Sequence, residues 1–163
     1  MLRWLTQLRL AQKFLLLGAI VLATMAIPTF LYLKSTVDNL RQAERQANGM
    51  PALIALSGVV ERIQVHRGLS AGMLAGNQEM KQRRLAARDA VNTALAQAQA
   101  ALQQSETPPE QFDALQTLQK KWQALEQLVA NGQISMPDSF ARHTGFVNDL
   151  MVMNEELLVA YSL

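Results

Sequence analysis

An uncharged apolar run near the start of the chain, FLLLGAIVLATMAIPTFLYL at residues 14–33, limits what it can fold into more than any other feature. About twenty helical residues at roughly 1.5 Å each span about 30 Å, the thickness of a bilayer's hydrocarbon core. Arg3, Arg9 and Lys13 precede the run with no acid among them. The positive-inside tendency therefore puts residues 1–13 in the cytoplasm and residues 34–163 outside. Trp4 and Tyr32 fall near the two interfaces, where aromatic rings with a polar edge settle well. A cleaved signal peptide is the alternative. The run is longer than an ordinary signal core, and no small-x-small cleavage site follows it, so an uncleaved anchor is expected. Pro28 would kink this span without abolishing it.

Charge and cysteine content narrow the remainder. The formal net charge is +2, and the three basic residues before the span more than account for it. Residues 34–163 are therefore close to neutral, which argues against nucleic acid as a partner. The chain has no cysteine, so disulfides, thiolate metal sites and covalent haem attachment are excluded. His66 and His143, far apart in sequence, make no metal-ligand spacing, and no cofactor is expected. No nucleophile–base arrangement or phosphate loop suggests an enzyme.

Beyond the span the chain reads as helices with short joints and no strand, an all-α chain of one membrane helix and an antiparallel up-down bundle. The membrane helix should continue to about residue 48, where Gly49-Met50-Pro51 interrupts it. A helix over residues 51–75 then stops at Gly76-Asn77. The next covers about residues 78–104 and is rich in alanine and glutamine. Thr107-Pro108-Pro109-Glu110 reads as a capping box opening a helix with Phe112, Leu115, Leu118, Trp122, Leu125 and Val129 on one face, ended by Asn131-Gly132. The last helix starts near residues 135–137. If Pro51 only kinks the first helix, four helices remain instead of five, and the last returns toward the membrane. The sequence leaves both arrangements open.

Two helical seams carry polar residues where aliphatics are expected. Leu53, Leu56, Val60, Ile63, Arg67, Ser70 and Leu74 alternate steps of three and four, so they share one face. An unpaired buried ion costs several kcal/mol, so Arg67 must bind an anion or pair with an acid from another helix. Phe140, His143, Val147, Leu150, Asn154, Leu157 and Tyr161 form the second seam, with Arg142 beside it. His66 and His143 are either satisfied core residues or ligand contacts. Lys81, Arg83, Arg84 and Arg88 read as a solvated face, or as the source of a second guanidinium for a clamp with Arg67.

The segment Glu61-Arg62-Ile63-Gln64-Val65-His66-Arg67-Gly68-Leu69-Ser70-Ala71-Gly72 resembles the arginine-glycine-x-serine signature of NIT-type sensor regions. Gln12-Lys13-Phe14-Leu15-Leu16-Leu17-Gly18 resembles the first membrane span of such receptors, and Phe140-x-x-His143-Thr144 a later helix of the same regions. These are helical, extracytoplasmic nitrate- and nitrite-sensing domains of bacterial chemotaxis receptors and diguanylate cyclases. The resemblance implies that Arg67 contacts the anion, where His66 replaces the usual glutamate or glutamine, and that the receptor acts as a homodimer. Such receptors also carry a second span and a cytoplasmic output module, neither of which is visible here.

The expectation is a membrane-anchored sensory domain for a small anion such as nitrate or nitrite, with Arg67, Ser70, His66, Arg142 and His143 as candidate contacts and no catalytic or metal residues. Ser70 would add a hydroxyl, with His143 or Arg142 as second contacts. The alternative is an anchored helical scaffold that binds a partner protein. It would use an exposed patch of Met151, Met153, Leu157 and Leu158, residues that otherwise read as core.

Overall fold

The computed structural model describes residues 9–105 and 107–161. The expectations for Arg3 and Trp4 lie outside the described residues. Among the described residues the chain is all-α, with four helices and no strand: α1 (Leu10–Leu74), α2 (Gln78–Gln104), α3 (Pro109–Ala130) and α4 (Met136–Ala160). It divides into two compact units, Met1–Ala43 and Glu44–Leu163.

In the first unit α1 carries the apolar run, and it is the one described helix long and apolar enough to cross a membrane. Its large side chains, among them Phe14, Leu22, Phe30 and Tyr32, are exposed. The Thr24 and Thr29 hydroxyls donate to the helix's own carbonyls at Val21 and Met25, so neither needs an outside partner. The helix runs unbroken through Pro28.

The second unit is a four-helix bundle formed by α2, α3, α4 and the C-terminal part of α1. Cross-bundle partners run in opposite order on each neighbouring pair, which fixes the up-down topology. Arg84 and Asn92 of α2 meet Glu126 and Trp122 of α3. Lys121 and Gln111 of α3 meet Asp149 and Glu156 of α4. The last helix lies against the first, where Arg67 bonds to Thr144 and Gly49 faces Tyr161. Trp122, Leu56, Ile63, Leu102, Leu115, Leu150 and Leu157 are the largest fully buried apolar side chains, with Phe146 and Tyr161 beside them in the core.

The expected break at Gly49-Met50-Pro51 is absent, and α1 is helical throughout. Proline withholds one backbone donor, but glycine has a different use here. Gly49 is buried, and a β-carbon on it would overlap the Tyr161 ring. The residue permits close approach of α4, and because α1 is unbroken there the described residues form four helices, not five. The turns at the other joints match their chemistry. Gly76 (φ 98°) and Gly132 (φ 64°) take the left-handed conformation that ends α1 and α3. Asn77 and Ser135 cap α2 and α4 by accepting from the Glu79 and Asp138 amides. The expected capping box at Thr107 does not form, because Pro108 is the N-cap. The Thr107 hydroxyl instead meets the Tyr161 hydroxyl at 2.6 Å. The methionine patch divides: Met153 and Leu157 enter the core, while Met151 and Leu158 stay exposed.

Candidate functional site: a polar chain across the bundle

The seam of α1 is rotated relative to the sequence pattern. Leu53, Leu56, Ile63 and Ser70 are buried as expected, but Val59 and His66 occupy the places assigned to Val60 and Arg67. The buried stripe Ala52, Leu56, Val59, Ile63, His66 and Ser70 keeps the same three-four spacing with every second position one residue earlier, so spacing alone does not separate the two faces. His66 is thereby fully buried and Arg67 half-buried at the rim. On α4 the seam holds as expected, with His143, Val147, Leu150, Leu157 and Tyr161 buried, while Phe140 is exposed at its end beneath Arg67.

His66 Nδ1 and His143 Nε2 are 2.9 Å apart. His143 Nδ1 lies 2.7 Å from the Ser139 carbonyl oxygen. A carbonyl only accepts, so His143 carries its proton on Nδ1 and leaves Nε2 as an acceptor. His66 must then donate from Nδ1 and accept at Nε2, where Arg84 Nη1 sits 3.2 Å away. The same Arg84 nitrogen donates to Glu126 Oε1 at 2.9 Å. One ordered chain of hydrogen bonds thus joins all four helices, with Arg84 of α2 donating to Glu126 of α3 on one side and to His66 of α1 on the other, and His66 donating on to His143 of α4. The Ser70 and Ser139 hydroxyls flank it, 3.2 Å from His66 Nδ1 and 3.4 Å from His143 Nδ1. The Trp122 indole packs edge-on against His66, with centroids 4.8 Å apart, and its N–H is bound to Asn92.

This arrangement requires both rings to be neutral, and the electrostatics agree. Burial first, then His143, Arg84 and Arg88, push His66 from 6.5 to about 3. Burial also lowers His143, partly offset by the Ser139 carbonyl and reinforced by Arg67 and Arg84.

Arg67 stands one residue further along the same seam. Its Nη1 donates to Thr144 Oγ1 at 3.0 Å, and its guanidinium lies 4.4 Å from the Phe140 ring centroid. Thr144 in turn donates to the Phe140 carbonyl, so its hydroxyl acts toward Arg67 as an acceptor only. Among the described residues no carboxylate lies within ion-pair distance of Arg67. The buried ion pair expected as the alternative for Arg67 exists, but it belongs to Arg84 and Glu126, with side chains 3% and 15% exposed.

The structure gathers His66, Ser70 and His143 into one cluster, with Arg67 at its edge, and leaves Arg142 out. Arg142 is exposed, beside a surface hollow of about 330 Å³ shared with Lys121, Phe146 and Asp149. Arg84 does not share a ligand with Arg67, being held by Glu126 and His66. Arg88 is paired with Asp89 at 2.7 Å, at the rim of a hollow of about 370 Å³ lined by Asn92, Gln99 and Trp122. Sequence reading gave no role to Glu126 or Ser139. Glu126 could have been suspected, since it falls one turn after Trp122 on the apolar face of α3. Among the described residues no group of three or more ligating side chains could hold a metal.

Residues 58–161 match a family model, NIT, described as nitrate and nitrite sensing. The match covers well over half of the chain and includes every residue of the polar chain. No curated protein and no solved structure matches the sequence.

Proposed function

We propose, on the premise that this chain belongs to the NIT family of nitrate and nitrite sensing domains, that it anchors a small-anion sensor in the bacterial inner membrane. The family is sensory and not catalytic, and the all-α bundle with one apolar helix is consistent with a receptor's sensing region. Residues 14–33 would cross the bilayer with the N-terminus cytoplasmic, leaving the bundle outside. Exposure of the large apolar side chains there supports that placement.

The observation that carries the ligand reading is Arg67, a half-buried guanidinium with no carboxylate partner among the described residues. A planar anion such as nitrate or nitrite accepts two parallel N–H bonds from such a group. Thr144 and the Phe140 ring hold the guanidinium in place. His66, Ser70 and His143 form the polar wall behind it, while Arg142 stands apart on the exposed surface of α4. Because Arg67 lies on α1 and its holders on α4, an anion that draws on its donors favours one packing of these helices. Signalling would then proceed by population shift. The family resemblance also implies that two copies act together.

Thermal unfolding of the full chain in detergent, with nitrate, nitrite, sulfate and acetate at fixed ionic strength, tests this reading. Nitrate or nitrite at a hundred times its dissociation constant should add roughly 2.7 kcal/mol, and Arg67→Ala should abolish the shift while leaving helicity intact. No shift with any anion, in a chain that unfolds cooperatively, would reject the anion reading and favour a scaffold that binds protein.

A further inference from the structure

The histidine pair is not needed to hold the anion, and its geometry points to a second input. Every ring nitrogen is committed. The lone pair of His143 Nε2 faces the His66 Nδ1–H, and the lone pair of His66 Nε2 faces the Arg84 Nη1–H. Neither ring can take up a proton without setting two donors against each other. The charged groups around the pair are Arg67 from α1, Arg84 and Arg88 from α2 and Glu126 from α3. From α4 come the Ser139 carbonyl and hydroxyl.

We propose that the His66–His143 bond is an acid-sensitive latch between α1 and α4, and that its opening displaces Arg67 and weakens anion binding. The second half of this proposal rests on the anion reading above. The asymmetry of the chain decides which link gives way. Arg84 is fastened to Glu126 by a charge-assisted bond across α2 and α3, whereas His143 is fastened only to its own helix at Ser139. A proton on His143 Nε2 meets the His66 Nδ1–H, so it separates α4 from α1 and leaves α1, α2 and α3 joined, whereas a proton on His66 Nε2 would meet Arg84 instead. The next polar contact along that seam is Arg67 to Thr144, one residue further on both helices. Opening the inner bond moves the residue that holds Arg67. Fully buried imidazoles resist protonation, so the latch stays shut at neutral pH and opens only in acid.

The experiment uses the full chain in lipid nanodiscs with Trp4→Phe, which leaves Trp122 as the single tryptophan. The Trp122 ring sits against His66 and near His143, so its emission reports their charge. As pH falls below 6, emission should drop reversibly while far-ultraviolet helicity persists. The His143 nitrogen shifts should pass from one bare and one protonated nitrogen to two protonated, while His66 keeps its bare Nε2. Nitrate affinity should fall at least tenfold over the same range. His66→Gln with His143→Gln preserves a donor and an acceptor at each position and should remove all three changes. Three results overturn the latch: unchanged emission down to the pH of helix loss, rings that stay neutral throughout, or the same transition in the double glutamine variant. Nitrate affinity that stays level or rises would show that added positive charge outweighs helix separation, and overturns the coupling. A chain that binds no nitrate at neutral pH rejects the anion reading, while emission and nitrogen shifts still decide the latch itself.

Discussion

The Nδ1 of His66 and the Nε2 of His143 lie 2.9 Å apart, joining residues 77 positions apart in the chain. One residue further along both helices, Arg67 and Thr144 make a second polar contact at 3.0 Å. The inner contact is dry and neutral, and the outer one is charged and half-open. The same segment of α1 therefore contributes both to the stability of the bundle and to the group best suited to an anion.

The neutral pair makes stability pH-dependent with a defined sign. His66 is lowered in the folded state from 6.5 to about 3, so between those values the unfolded chain binds more protons. Its contribution is fully present above about pH 6.5 and is lost as pH falls toward 3. For His66 alone, linkage gives a loss of about 2 kcal/mol between pH 7 and pH 5. His143, shifted the same way, adds to the loss. Urea unfolding midpoints across that range should fall steeply for the wild-type chain and flatten in the double glutamine variant. Parallel slopes would mean that other groups carry the acid sensitivity.

Glu126→Gln tests the far end of the chain. Arg84 is 2% exposed, and its Nε already lacks a partner. Removing the carboxylate leaves a buried guanidinium uncompensated, at a cost of about 3 kcal/mol. Adding Arg84→Met should recover much of that loss, since an apolar stem then fills the space. Chemical denaturation of the two variants checks both statements. A glutamine variant within about 0.5 kcal/mol of wild type would show that the pair is weaker than its burial suggests.

Local chemistry made much of this fold readable. The apolar run at residues 14–33, the Gly76-Asn77 and Asn131-Gly132 stops, and the aliphatic faces of α1 and α3 depend on neighbours a few positions away. The misread features depend on residues far off in sequence. Gly49 breaks nothing because its partner is Tyr161, and Thr107 caps nothing because its hydroxyl has the same partner. Arg67 seemed central because an ideal stripe cannot choose between adjacent positions separated by about 100° of helix. The packing of α2 and α4 chose His66 instead. The buried ion pair was foreseen as a kind of interaction but placed on the wrong arginine, since only the folded bundle brings Glu126 to Arg84.

The contact at the far end of α4 gives another test. Gly49→Ala should destabilise the bundle by about 1–3 kcal/mol, because the new methyl group collides with the Tyr161 ring. Tyr161→Phe keeps the ring and removes a hydroxyl that meets Ser105 at 2.9 Å and Thr107 at 2.6 Å, at a cost of about 1 kcal/mol. Combining Gly49→Ala with Tyr161→Leu should cost less than the sum of the two single changes. Strict additivity in thermal melts would show that the helices do not meet there.

Thr144 separates the holding of Arg67 from its charge. Thr144→Ser keeps the oxygen that accepts from Arg67 Nη1 and donates to the Phe140 carbonyl. Thr144→Val keeps the shape and removes both bonds. The valine variant retains a guanidinium stacked on Phe140, so the attraction for an anion persists while the orientation is lost. Losing one charge-assisted bond to a partly exposed group is worth about 1 kcal/mol. Nitrate affinity should accordingly fall about fivefold for valine and stay within twofold of wild type for serine. The two variants should differ little in melting temperature, because the site is at the rim of the core. Titration calorimetry of both against nitrate, with Arg67→Lys as reference, checks the ordering. Equal affinities for serine and valine would mean that Phe140 alone positions the arginine.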